Sequence, residues 1–272
     1  MRQVKSPDQF FRALQRLGIP HPEIRWTFPE KTWEPGAWLI KKGSSEGGIG
    51  IEWASAAPNS SDTTPAAAYF QRKSPGSPCS ALFLAHGSGA AIIGFNALFT
   101  SDHRPGHPFL FAGARTLGHL DRRLCTAIRD YANELTRVFS LRGLNSLDFV
   151  VEEDEVRVLE INPRPSATLG LHDADYAHGL LLHHIDACRG MSVEPRRRRH
   201  TWRAFKILYA QRSTVIPPKI RWPVWCSDRP RAGTPIAIGQ PVCSIRAESR
   251  NPATLEQELL TRERAVRASL VF

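Results

Sequence analysis

No stretch of this 272-residue sequence approaches the roughly 18 consecutive apolar residues that a membrane-spanning helix needs. The longest candidate, residues 90–99, is interrupted by Gly94 and Asn96. The first ten residues do not read as a secretory leader, because Arg2, Lys5 and Asp8 have no apolar run behind them. Cysteines are few and unpaired. Cys79, Cys125, Cys188, Cys226 and Cys243 are odd in number, far apart and free of any C-x-x-C spacing, which excludes a disulfide framework or a zinc ribbon. They read as apolar filler rather than nucleophiles. There is no internal repeat. With 42% hydrophobic and 23% charged residues the composition also excludes intrinsic disorder. A cytoplasmic protein without membrane contact is the expectation.

What the chain does have is positive charge: 36 Lys and Arg against 26 Asp and Glu, a net +10. Four arginines stand together at 196–199. Such a run can follow a phosphate backbone, but no nucleic-acid-binding motif accompanies it and residues 152–155 are acidic, so nucleic acid is the disfavoured partner.

The first element reads as an amphipathic helix. Ser6-Pro7-Asp8 opens it, Phe10, Leu14 and Leu17 keep helical spacing, and Gly18-Ile19-Pro20 stops it. Residues 37–41 read as a strand running into the glycine-rich segment 43–51, and residues 55–68 as a connection rich in small residues. Apolar runs at 68–71, 80–85 and 90–99 predict an antiparallel meander. A helix is expected over 121–140, with Leu124, Ile128, Tyr131, Leu135 and Val138 on one face, and another over 173–188. Helices interspersed with antiparallel strands argue for an α+β fold. The arginine run marks a boundary between residues 1–195 and a small, β-rich C-terminal domain, 196–272, where Trp222 and Trp225 read as packing.

The chemistry gathers in two strands, 147–151 and 156–161, around an acidic turn. Strict alternation puts Val156, Val158, Glu160 and Asn162 on one face. A turn centred on Asp154 sets Asp148 opposite Glu160. Directly opposed like charges destabilise a sheet unless a cation offsets them. Asp, Glu and Asn are hard oxygen ligands suited to Mg²⁺, or Mn²⁺, held together with phosphates. A hairpin whose acidic residues simply face water is the plain alternative.

Glu160-Ile161-Asn162-Pro163-Arg164 closes the second strand, and here the sequence resembles the ATP-grasp superfamily of ATP-dependent carboxylate ligases. Its Asn162-Pro163-Arg164 continuation is similar to biotin carboxylase and to the predicted ATP-dependent carboligases related to it. The resemblance implies an ATP-grasp fold of two α+β subdomains with a hinge near 69–76. It implies that Asp148, Glu160 and Asn162 hold magnesium and that Arg164 steadies an anionic intermediate. It further implies that Lys41 and the loop bearing Gly47 and Gly48 contact the phosphates of ATP, and that Gln71, Arg72 and Lys73 lie where the adenine is read. Whether Lys41 or Lys42 points inward stays open.

The implied activity is C–N bond formation between small-molecule carboxylate and amine substrates through an acyl phosphate, with ATP and Mg²⁺ as cofactors. A diffuse similarity at 205–210, 222–223, 228–230 and 239–243 suggests biosynthesis of a C1-carrier cofactor of the tetrahydromethanopterin or methanofuran type. Two other readings are a catalytically inactive ATP-binding regulatory subunit and a nucleic-acid-binding protein.

Three departures from the family pattern stand out: Ser146 where many relatives carry Arg, Lys42 where Pro often follows the lysine, and no separate α/β domain ahead of the nucleotide-binding part. The last leaves three expectations open: a separate subunit carrying that domain, an acceptor held differently, or a sequence that is part of a longer chain; a homodimer is a further expectation. His178, His183 and His184 read as solvated or capping residues, whereas His103 and His107 could line an acceptor pocket.

Overall fold

A computed structural model describes residues 3–42, 46–55, 68–87, 89–101, 106–118, 120–191, 195–197 and 201–270. His103, the loop positions 43–45, most of the 55–68 connection and the arginines at 198–199 lie outside the described residues.

A short 3-10 turn, Gln3–Lys5, leads into helix α1, Pro7–Leu17. Pro7 fits the first helical turn because its missing N–H has no intrahelical partner there. Gly18 ends the helix in the left-handed conformation, donating to the carbonyls of Leu14 and Gln15. Four strands form a small antiparallel sheet in the order β1-β4-β2-β3: β1 is Ile24–Arg25, β2 Trp38–Lys42, β3 Ile51–Trp53 and β4 Ala68–Arg72.

From β4 the chain crosses to a second, eight-stranded sheet. Its strands are β5 (Pro78–His86), β6 (Gly89–Ser101), β7 (Leu110–Thr116), β8 (Gly143–Glu152), β9 (Glu155–Asn162), β10 (Trp202–Tyr209), β12 (Cys226–Ser227) and β14 (Pro241–Ser249), in the order β12-β14-β10-β7-β6-β5-β8-β9. The expected three-strand meander is thereby corrected. Only β5 and β6 pair, while the 68–71 strand hydrogen-bonds to β1 and β2 in the other sheet. Local sequence does not distinguish the two because β4 is buried on both faces up to Gln71.

One face of the large sheet is closed by helix α2, Arg122–Phe139, and by α1, which share an apolar cluster with Phe83, Leu147, Phe149, Val158 and Ile161. The Asp121 carboxylate caps α2 by accepting the Arg123 N–H. Ile128 and Leu135 are buried as expected, but Val138 is 42% exposed, since Ala132 and Thr136 complete the buried stripe instead. The opposite face is covered by α3 (Leu169–His172), a 3-10 turn Asp173–Asp175, and α4 (Leu180–Cys188). The helix expected from 173 starts at 180, because Gly179 adopts a positive φ and Asp173 accepts the Leu180 N–H. The C-terminal part adds a two-stranded sheet, β11 (Thr214–Val215) with β13 (Pro235–Ile236), and helix α5 (Ala253–Ser269). It has its own apolar cluster, and β10 hydrogen-bonds to β7, so the large sheet includes strands from both sides of residue 196.

The hairpin of β8 and β9 departs from simple alternation. Glu153 and Asp154 both take positive φ, a two-residue turn that starts the pairing with Glu152 opposite Glu155. If that register continued, Glu160 would face Leu147 in the apolar core. A β-bulge at Leu159 inserts one residue, and from there Asp148 pairs with Glu160, Leu147 with Ile161 and Ser146 with Asn162. The expected pairing of Asp148 with Glu160 is therefore present, although the turn is not centred on Asp154. The expected common face is corrected: Val156, Val158 and Ile161 point into the core, and Glu160 and Asn162 to the other side.

Candidate active site

Asp148, Glu160 and Asn162 converge on the side of the hairpin away from the α1/α2 core. The Asn162 amide donates to Asp148 Oδ2 and to Glu160 Oε1, both at 3.1 Å. Asp148 Oδ1 accepts from the Ser146 hydroxyl at 2.9 Å, so both carboxylate oxygens are fixed in place. Burial first, and then Glu160, push the Asp148 carboxyl above the usual carboxylate range. Burial acts on Glu160 in the same sense, but Lys41 and Lys5 outweigh it and hold Glu160 below its ordinary value. Lys5 Nζ lies 2.6 Å from Asn162 Oδ1 and 3.9 Å from Glu160 Oε2.

The small sheet supplies the facing wall. Lys41 on β2 is 8% exposed and its ammonium donates to Gln71 Oε1 on β4 at 3.3 Å, while Lys42 points outward to Glu52. Lys41 is therefore the inward residue. Burial alone would lower its pKa, but Tyr69, Glu160 and Asp148 raise it, so the side chain is a fixed positive charge. Between the walls lies a cleft of about 200 Å³ lined by Lys5, Phe11, Lys41, Gly48, Tyr69 and Glu160 among others.

The described part of the glycine-rich segment, residues 46–50, is folded down against the large sheet. Gly47 accepts the Phe111 N–H at 2.9 Å. Gly48, at φ +80°, passes so near the Phe109 carbonyl that a Cβ would stand 1.9 Å from its oxygen. Only glycine combines that backbone angle with that approach. Gly48→Ala is expected to lift the loop at a cost of about 1–3 kcal/mol. Tryptic cleavage after Lys42 should then accelerate by about tenfold or more, and an unchanged cleavage rate would contradict the close approach.

Arg164 follows Asn162 and Pro163 and stands half-exposed, 3.7 Å from Glu46, which lines the cleft. The remaining expected nucleotide contacts are dispersed. Gln71 is buried against Lys41, Arg72 pairs with Glu23 on the other side of β4, and the Lys73 ammonium donates to the Ser74 carbonyl. Gln71, Arg72, Lys73 and Arg164 do not line the cleft, and of the three expected metal-binding residues only Glu160 does, with Asp148 and Asn162 behind it. His184 Nδ1 accepts the Leu144 N–H at 2.9 Å, which matches a structural histidine. Lys5, Glu46 and Tyr69 belong to the site without having been singled out in the sequence; Lys5 carries no local motif and reaches Asn162 from a turn 157 positions away.

Among the described residues no group of three or more His, Cys, Asp and Glu gathers; at this cluster the Asn162 amide oxygen is the candidate third donor beside Asp148 and Glu160. That donor set fits Mg²⁺ or Mn²⁺: all three ligands are hard oxygens, and an ammonium already stands against two of them.

A family model for the ATP-grasp domain matches residues 8–168. A search of curated proteins by sequence returns no match. Among solved structures the chain is similar to N5-carboxyaminoimidazole ribonucleotide synthetase from Thermotoga maritima, at 11% identity and a TM-score of 0.71 over 97% of this chain and 72% of that one. It is also similar to L-amino acid ligase from Bacillus licheniformis, at 10% identity and a TM-score of 0.71 over 97% and 71% of the two chains. Biotin carboxylase from Campylobacter jejuni follows at 11% identity and a TM-score of 0.67 over 98% and 66%. Identities this low carry the fold alone, but the family match spans more than half of the sequence and includes the whole β8–β9 hairpin: the chain belongs to the ATP-grasp family.

Proposed function

We propose that the chain is an ATP-dependent carboxylate–amine ligase that works through an acyl phosphate. The observation that carries this reading is the opposition of Lys41 on the small sheet to the Asp148, Glu160 and Asn162 cluster on the large one. That arrangement suits a polyphosphate held between a fixed ammonium and a carboxylate-bound cation.

Asp148 and Glu160 would hold Mg²⁺ with the Asn162 amide oxygen, and the ion when bound neutralises charge on the transferring phosphoryl group. Lys41 orients an anionic oxygen without needing to move, because Gln71 already fixes its ammonium. Gly47 and Gly48 bring loop backbone over the cleft and exclude water from it. In the first step a carboxylate oxygen of the acid forms a bond to the γ-phosphorus while the bond to the β-phosphate oxygen breaks and ADP leaves. In the second, the amine nitrogen attacks the acyl carbon and phosphate departs with the electron pair. Arg164, beside Glu46, is placed to steady the oxyanion of that second step.

The relatives named above support small-molecule ligation in general. The C-terminal similarity at residues 205–243 supports the finer proposal of a role in making a C1-carrier cofactor. The test is Mg²⁺-dependent ADP release in mixtures of candidate acids and amines. Release that needs both substrates is the expected result; ATP binding without turnover in every mixture would favour the regulatory-subunit reading.

A further inference from the structure

We infer that Lys5 is a displaceable internal counter-ion that competes with a divalent cation for Asn162 and Glu160, and so sets the metal affinity of the cleft. The inference rests on the metal assignment made above.

The oxygens of the cluster are already committed. Asp148 Oδ1 is bonded by Ser146, Asp148 Oδ2 and Glu160 Oε1 by the Asn162 amide, Asn162 Oδ1 by Lys5 at 2.6 Å, and Glu160 Oε2 has the same ammonium at 3.9 Å. A cation that takes Asn162 Oδ1 must expel Lys5 from it, because two positive charges cannot share one amide oxygen at contact distance. The competition is direct and needs no change of fold.

Lys5 is built to leave while its backbone stays. Its side chain is 36% exposed. Its neighbour Val4 is buried at 4%, the Ser6 N–H closes the turn on Gln3, and Pro7 starts a rigid helix. Lys41 has the opposite character: it is buried and bonded to Gln71, and has no path to withdraw. Of the two ammonium groups that hold Glu160 ionised, one is thus permanent and one exchangeable.

The experiment titrates Mn²⁺ into nucleotide-free protein, followed by electron paramagnetic resonance, for wild type, Lys5→Met, Lys5→Gln and Glu160→Gln, with thermal melts of each. Both Lys5 variants are expected to bind Mn²⁺ about tenfold more tightly than wild type. They should also melt lower than wild type without metal and recover on adding Mn²⁺. Opposite movements of metal affinity and metal-free stability are not produced by loss of a merely structural contact. Mn²⁺ affinity that is unchanged or weaker in both Lys5 variants, while wild type binds and Glu160→Gln does not, overturns the counter-ion role and leaves the metal assignment standing. Failure of wild type itself to bind Mn²⁺ would overturn the metal assignment, and this inference with it.

Discussion

Replacing Glu160 by alanine is expected to slow Mg²⁺-dependent ADP release on the order of 10³-fold, about 4 kcal/mol of transition-state stabilisation. Glu160 is the member of the carboxylate pair that stays ionised, held so by Lys41 and Lys5, and it is 44% exposed toward the cleft. Its loss takes charge from the cation site without opening a cavity in the apolar core, which lies on the other side of β9. Stability should fall modestly rather than collapse, because Lys41 loses one of the charges that face it while the apolar core is untouched. The measurement is ADP release together with a thermal melt of each protein. Equal release from wild type and variant would sink the metal assignment.

The second large effect concerns stability. Asp175 is fully buried between two arginines: Oδ1 accepts from Arg203 at 2.8 Å and Oδ2 from Arg197 at 2.7 Å, and Arg203 also donates to the Leu171 carbonyl. The network ties the 3-10 turn after α3 to β10 and to the arginine run. Asp175→Asn leaves the Arg203 guanidinium buried with only the half-exposed Glu248 as counter-charge, and is expected to cost about 3–5 kcal/mol. At about 2–4 °C per kcal/mol, the melting temperature should fall by roughly 6–20 °C.

The pH dependence has a definite sign. Burial would raise the Asp175 pKa, but hydrogen bonds from Arg197 and Arg203 lower it below the ordinary value. A depressed folded-state pKa contributes stability above the unfolded value of about 3.9 and loses it as pH falls through the folded one. The gap between wild type and Asp175→Asn should therefore be full at pH 5–7 and close as the solution is acidified below about 4. A gap that persists unchanged in acid would show that the ion pair is not its source.

The limits of the sequence are visible in one hairpin. Asp148, Glu160 and Asn162 stood out as a candidate ligand set because their residue types, order and approximate spacing resemble the ATP-grasp pattern. Strict alternation nevertheless assigns Glu160 the same face as Val158, in the apolar core. The bulge at Leu159 corrects this, and its position depends on how β9 packs against β8 and α2 rather than on any local signal. Lys41 and Lys42 show the same limit. Alternation guarantees that one points in, but only the pairing of β2 with β4 selects Lys41, which it sets beside Tyr69 and Gln71.

By itself the sequence determined the α+β class, helices α1 and α2 and the β8–β9 hairpin with its candidate ligands, because these follow from periodicity, turn residues and donor types within a few positions of one another; it did not show helix α5 in the part read as β-rich. The tertiary structure alone decided that the 68–71 strand joins the small sheet, that the C-terminal strands extend the large one, and that Lys5 and Glu46 reach the cleft. Those outcomes rest on contacts between residues far apart in the chain, whose energies depend on packing and on the field of charges already assembled, and neither is encoded in any short window.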